Sequence, residues 1–199
     1  MIFNHIILAT LWILYCVLHS VLASEWVKKK MRQALAEYKW YRIAYSLFAF
    51  ISLMALFYYQ LKIDTVQLFL VNYIFLTAGI ILSTCGLLLM LVCIRKYFMS
   101  LSGLRNLFIE NFSNELQITG VHRHVRHPLY LGTFAFIWGL FLLFPYLSLL
   151  VANIIITVYT LIGINFEEKK LMAEFGQQYV NYRKVVPKLF PSFKPKEEF

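Results

Sequence analysis

Charge is what this chain has least of. Only 15% of its 199 residues are Asp, Glu, Lys or Arg, and just ten are acidic, whereas an average globular chain carries about 25%. Hydrophobic residues make up 60% of the sequence. So little polar surface cannot cover a folded domain in water, which excludes a soluble enzyme. A composition this apolar equally excludes a disordered regulator. Cysteine is scarce too. Cys16, Cys85 and Cys93 are odd in number and lie inside apolar runs, so they read as small apolar residues and not as a disulfide framework or metal set. Internal repeats, low-complexity stretches and flexible linkers are missing as well. The apolar runs are continuous and lack the alternation that a membrane β-barrel requires.

What remains is an all-α polytopic membrane protein. A helix crossing a bilayer needs roughly 20 apolar residues, within a range of about 17–25. Five runs qualify or nearly do: 3–24, 43–61, 66–94, 129–144 and 147–166. The net charge of +9 sets their direction. No Lys or Arg precedes the first run, six lie in 25–42, one (Lys62) follows the second run, five separate the third and fourth, and seven follow the fifth. With five transmembrane helices and the N-terminus outside, 18 of the 19 basic residues fall on the cytoplasmic side, as the positive-inside rule requires. The first run has no basic residue ahead of it and Lys28-Lys29-Lys30 just behind it, which reads as a retained anchor and not a cleaved signal. The segments 25–42 and 167–186 read as amphipathic helices at the interface. Basic clusters that flank spans on one side are explained by topology and anionic headgroups, so a nucleic-acid partner is not expected.

The densest polar cluster is Gly120-Val121-His122-Arg123-His124-Val125-Arg126-His127-Pro128-Leu129-Tyr130-Leu131-Gly132. Pro128 stands where a helix begins, a position that tolerates its missing N–H and fixed φ. The fourth run ends at Pro145-Tyr146 and the fifth starts at once, which predicts a tight helical hairpin. Its two arms, each about 25–30 Å long at 1.5 Å per residue, return Glu167 and Glu168 to the level of Arg126 and His127. Two carboxylates at that end face the negative pole of an apolar helix and need cations nearby. A salt bridge to Arg126 that clamps the hairpin satisfies them, and so does a pocket for a cationic, polar ligand. The His122, His124 and His127 spacing invites a metal, but Arg123 and Arg126 between them repel a divalent cation, and no metal is expected. His19, inside the first run near its cytoplasmic end, reads as a snorkelling or helix-bridging residue, and Asn153 as a helix-bridging one.

Arg126-His127-Pro128-Leu129-Tyr130-Leu131-Gly132 resembles the R-H-P-x-Y-x-G motif of integral membrane methyltransferases, the isoprenylcysteine carboxyl methyltransferase and phospholipid methyltransferase superfamily. The second half of that signature is present too. Glu167-Glu168-Lys169-Lys170-Leu171 is followed by Phe175-Gly176-Gln177-Gln178-Tyr179, then Tyr182, Val186-Pro187 and Pro191. Ser102-Gly103-Leu104-Arg105 and Ile162-Gly163-Ile164-Asn165-Phe166 look closest to bacterial methanethiol S-methyltransferases. Leu18-His19-Ser20 and Trp40-Tyr41-Arg42 more weakly resemble NnrU-type membrane proteins. Where many members have Gly-x-Tyr upstream of the motif, this chain has Gly120-Val121-His122.

The resemblance implies S-adenosylmethionine as cofactor, held by Gly120, Val121, His127, Pro128, Tyr130, Gly132, Glu167 and Glu168. Gly132 lets the cofactor approach the helix, and Arg126 pairs with its carboxylate or orients a glutamate. His122 and His124 are candidate bases for a thiol acceptor. The implied activity is methylation of a small or lipophilic, methanethiol-like thiol. An isoprenylcysteine-type carboxylate, a phospholipid amine and a non-catalytic scaffold are the alternatives. On this reading residues 1–75 form an N-terminal part and residues 76–199 a methyltransferase core. The implied location is the bacterial inner membrane, with the site facing the cytoplasm.

Overall fold

The computed structural model describes residues 1–34, 38–101 and 116–191; Ser102–Arg105, quoted above, lies outside them. Among the described residues six α-helices follow in order: α1 Ile2–Ala23, α2 Glu25–Ala34, α3 Tyr38–Lys62, α4 Tyr73–Leu101, α5 Pro128–Leu143 and α6 Leu147–Val185, with a 3-10 turn at Gly120–Arg123 before α5. The described residues form no β-strand, only an isolated antiparallel bridge between Gln67 and Tyr146. Four of the helices, α1, α3, α4 and α6, are long and apolar enough to cross a membrane. The fourth of the five expected spans, α5, has 16 residues, about 24 Å at 1.5 Å each.

The chain divides into two compact units, Met1–Leu70 with Phe144–Tyr159, and Val71–Leu143 with Thr160–Phe199. In the first unit Leu8, Trp12, Leu56 and Ala152 form the core. Its buried polar groups find partners, as they must away from water. The Trp12 indole donates to Gln60 Oε1 at 2.9 Å, and His5 Nε2 lies 3.1 Å from Thr65 Oγ1. His19 bridges helices as expected, its Nδ1 lying 3.1 Å from the Tyr45 hydroxyl of α3. Ser24 breaks α1 with extended backbone (φ −67, ψ 147) and starts α2, its hydroxyl accepting from Val27 N at 3.4 Å.

Of the expected amphipathic segment 25–42, Glu25–Ala34 forms α2 and Tyr38 already belongs to α3, with 35–37 outside the described residues. The third run starts later than expected. Residues 66–68 are extended, with Leu68 N donating to Pro145 O at 2.7 Å and Leu147 N to Val66 O at 2.9 Å. Helix α4 begins only after Asn72, whose side chain accepts from Phe75 N at 2.9 Å and caps the helix.

In the second unit α4 and α5 pack along a seam of small residues. A Cβ on Gly86 would lie 2.4 Å from Phe136 N, and one on Gly139 would lie 2.4 Å from Ser83 N. The two backbones therefore touch in the manner of small-residue membrane helix pairs. Helix α6, with 39 residues, is interrupted at Gly176, where φ is 52 and ψ −128. Its apolar first part, 147–166, is about 30 Å long and ends just before Glu167. The expected amphipathic C-terminal helix is thus the continuation of α6, bent at a glycine that can adopt positive φ without steric cost.

Candidate active site

The site grows from the entry into α5. His127 is the residue before the helix, its carbonyl accepting the first helical bond from Leu131 N at 3.1 Å, and Pro128 occupies the first turn. That start fixes the two preceding residues. Arg126 N donates to Pro187 O at 2.9 Å and His127 N to Lys188 O at 3.2 Å, so the chain beyond α6 is tied to the loop that leads into α5.

The Arg126 guanidinium spends every nitrogen within this frame. Nε donates to Glu168 Oε1 at 2.9 Å, and Nη2 pairs with the same oxygen at 2.7 Å. Nη1 donates to Arg183 O at 2.9 Å and to Val186 O at 2.6 Å. The side chains of both partners are almost fully buried, at 7% and 6% exposed. Of the two sequence readings of this pair, the clamp is what the geometry holds, and Arg126 orients Glu168 while closing the C-terminal segment over it. His127 Nε2 adds a contact to Glu168 Oε1 at 3.3 Å, and its Nδ1 stands 3.7 Å from Glu167 Oε2. Glu167, unlike its neighbour, is exposed.

Oε2 of Glu168 has a different partner. Lys188 Nζ approaches it at 3.6 Å while donating to Asn165 Oδ1 at 2.9 Å. Beneath lies an apolar cluster of Tyr179, Tyr182 and Val186. The Tyr182 hydroxyl donates to His122 O at 2.6 Å. The buried Tyr179 hydroxyl has no hydrogen-bond partner among the described residues. An unpaired buried hydroxyl costs about 1–3 kcal/mol.

Electrostatics follow from this arrangement. Burial pushes the Glu168 carboxyl upward, but the hydrogen bond and charge of Arg126, with His127 and Lys188, outweigh it and hold the carboxyl below the usual range. Burial dominates at His127 and lowers its pKa against the pull of both glutamates, so the ring is neutral near pH 7 and Nε2–H donates to Glu168. Burial, and then the Glu168 charge, push Tyr179 up to about 12, so its hydroxyl keeps its proton.

The other expected site residues take up different positions. Gly120 turns the chain with φ 63, and Val121 is half-buried. Tyr130 stacks on His127 with ring centroids 5.8 Å apart. The space expected for a cofactor against Gly132 is filled by α4: a Cβ there would meet Gly86 O and Met90 Cγ, each at 3.0 Å. The three histidines are not brought together. His122 Nδ1 donates to Arg126 O at 3.1 Å, which leaves Nε2 as its basic nitrogen. His124 is exposed, and His127 faces the glutamates. Among the described residues no group of three or more His, Cys, Asp or Glu side chains is arranged to hold a metal ion. The sequence reading passed over Lys188 and the Tyr179 hydroxyl. Tyr179 and Tyr182, three residues apart on one helix face, were the available signal for the latter.

Comparison with known proteins matches residues 74–178, just over half of the chain, to the family described as phospholipid methyltransferase. The chain is 36% identical over 98 residues to a methanethiol S-methyltransferase of Crocosphaera subtropica, covering 46% of this chain and 37% of that protein. It is 36% identical over 84 residues to the protein-S-isoprenylcysteine O-methyltransferase of Schizosaccharomyces pombe, covering 41% of this chain and 35% of that protein. A longer match, 28% identical over 187 residues, is to methanethiol S-methyltransferase 1 of Bradyrhizobium diazoefficiens and covers 89% of this chain and 64% of that protein. The chain therefore spans less than two thirds of the length of each of these relatives. No solved structure matches it.

Proposed function

The chain belongs to the phospholipid methyltransferase family, and from that premise we propose that it is an S-adenosylmethionine-dependent membrane methyltransferase whose acceptor is a small or lipophilic thiol. The observation that carries the reading is the pair Glu167–Glu168, one carboxylate exposed and the other locked by Arg126 and His127. Anionic groups at the end of an apolar helix suit a ligand bearing an ammonium and a sulfonium. The donor set fits such a ligand, and the Tyr179 hydroxyl is a donor that the chain leaves unused. Glu167, Glu168, His127 and Tyr130 would hold the cofactor, with Gly120 and Val121 beside them and Pro128 fixing the helix start. When bound, it supplies a methyl group on a positively charged sulfur for in-line displacement.

The protein's own part is positioning and electrostatics, which can account for most of the rate in such a transfer. Arg126 is a positioning residue. It fixes the Glu168 carboxylate and leaves no nitrogen for a ligand. His127, neutral and donating to Glu168, keeps that carboxylate ionised. A thiol acceptor must lose its proton, and an apolar site makes this harder. The Nε2 lone pair of His122 and the exposed ring of His124 are the candidate acceptors for it. Loss of both rings through His122→Ala and His124→Ala with full turnover at neutral pH would remove that role.

The same proposal includes the orientation. Five spans, α5 being the short one, place the N-terminus outside, the C-terminus in the cytoplasm and the site on the cytoplasmic face of a bacterial inner membrane, with residues 76–199 as the methyltransferase core. The thiol is favoured by the relatives named methanethiol S-methyltransferase. A prenylcysteine carboxylate or a lipid amine is the second reading, on the name of the fission-yeast relative and of the family. Labelled cofactor given to the purified protein with methanethiol, larger thiols, a prenylcysteine and lipid amines decides between them. Transfer to a thiol is expected. Transfer confined to the prenylcysteine or the amines supports the second reading, and no binding of the cofactor at all removes both.

A further inference from the structure

We propose that Lys188 is a tethered, exchangeable cation. Its ammonium fills a subsite made of Glu168 Oε2 and Asn165 Oδ1, and the α-ammonium of the cofactor displaces it. The inference rests on the cofactor reading above and adds to it the identity of the ammonium subsite and its internal competitor.

The two oxygens of Glu168 are held very differently. Oε1 receives Arg126 and His127, both buried, at 2.7–3.3 Å. Arg126 cannot leave without stripping that oxygen of its two closest donors and removing the donor to two backbone carbonyls. Oε2 is met by Lys188 at 3.6 Å, and that side chain is 38% exposed. Its direct hydrogen bond goes to the exposed Asn165. A lysine ammonium on a flexible four-carbon stem returns to water at little cost, and a half-exposed ion pair contributes little. Of the two cations on Glu168, then, one is structural and the other is replaceable.

The geometry of the replaceable cation is that of a primary ammonium seated between a carboxylate oxygen and an amide carbonyl. A free α-ammonium presents the same three N–H donors as Lys188 Nζ. Two ammonium groups in the one seat between Glu168 Oε2 and Asn165 Oδ1 would overlap and repel, so they compete for it. Ligand entry therefore releases Lys188 to solvent, while the backbone bond from His127 N to Lys188 O keeps the segment in place. The Tyr179 hydroxyl, buried and without a hydrogen-bond partner among the described residues, also feels the Glu168 charge.

The test is equilibrium binding of S-adenosylmethionine to the full-length protein in detergent, for wild type, K188Q, K188R and N165L. Removing the competitor should tighten binding by roughly two- to fivefold, the range that a half-exposed ion pair is worth. K188R keeps a cation and should bind as wild type does, whereas N165L loses an acceptor and should bind more weakly. In wild type, acylation of Lys188 by an amine reagent, read by mass spectrometry, should rise when ligand is added. Binding to K188Q that is unchanged or weaker overturns the inference and leaves the cofactor reading intact, because Lys188 would then be indifferent to the ligand or would hold its carboxylate. Absence of binding to wild type removes both.

Discussion

Replacing Arg126 by alanine is the sharpest test of the clamp. The substitution removes two contacts to Glu168 Oε1 and two to the carbonyls of Arg183 and Val186. It leaves a carboxylate 6% exposed with His127 and the half-exposed ammonium of Lys188 beside it. Breaking a buried pair by deleting one partner costs about 3–5 kcal/mol. For a chain of this size each kcal/mol lowers the midpoint by roughly 2–4 °C, so a fall of about 6–20 °C is expected. Arg126→Lys should recover only part of it, because a point charge cannot reach Glu168 and both carbonyls at once. The assay is thermal unfolding of the purified protein in one detergent, at one scan rate, because such transitions are often irreversible. A cycle with Glu168→Ala completes it. If the two residues act as a unit the double variant should be less destabilised than the sum of the singles, with a coupling of about 1–3 kcal/mol. A coupling below about 0.5 kcal/mol, or a midpoint that R126A leaves unmoved, would refute the clamp and return Arg126 to the ligand.

Other outcomes follow from the same geometry. His127 has a folded pKa below its ordinary value of 6.5, so the unfolded chain takes up its proton first; stability should fall as pH drops below 6.5, and His127→Gln should remove that slope in a pH series of melting curves. Glu168, also depressed, adds a second loss at lower pH, as acid approaches its folded pKa, which Glu168→Gln should abolish. Tyr179→Phe deletes an unpaired buried hydroxyl and should leave the ligand-free midpoint unchanged or raise it, while weakening cofactor binding; a lowered ligand-free midpoint would mean that the hydroxyl has a partner in the fold. Gly86→Val and Gly139→Val place a Cβ 2.4 Å from backbone nitrogen and should cost at least about 1–3 kcal/mol. Gly163→Ala meets nothing within 4 Å and should be neutral or stabilising in the same melting assay.

Much of the fold was legible because membrane spans write themselves as length. Four helices lie close to their apolar runs, since a single continuous apolar segment satisfies its own backbone hydrogen bonds in hydrocarbon only as a helix. What length could not show was where a run stops being helix. Val66 and Leu68 are as apolar as a helix start needs, yet residues 66–68 pair with residues 145–147. Asn72, a capping residue inside the run, was the only local sign. Gly176 lies within the Phe175-Gly176-Gln177 part of the motif, and its positive φ belongs to a bend that hydrophobicity does not report.

The site divides along the same line. Arg126 and Glu168, 42 residues apart, were brought together by counting helix rise along a hairpin, and they meet at 2.7 Å. That arithmetic gives level but not rotation, so it could not say which glutamate turns inward, nor that Gly132 faces α4. The reason lies in how the entry to α5 is built. Pro128 fixes the first turn, so His127 must stand just outside the helix and Arg126 one residue further out, where a side chain can reach back beneath α6. Each residue of Arg126-His127-Pro128 thus supplies one part of a single device: the proline sets the helix start, the histidine ends the loop against the glutamates, and the arginine closes the C-terminal segment. Moving the proline by one position would keep the composition and the apolar run and would still separate Arg126 from Glu168.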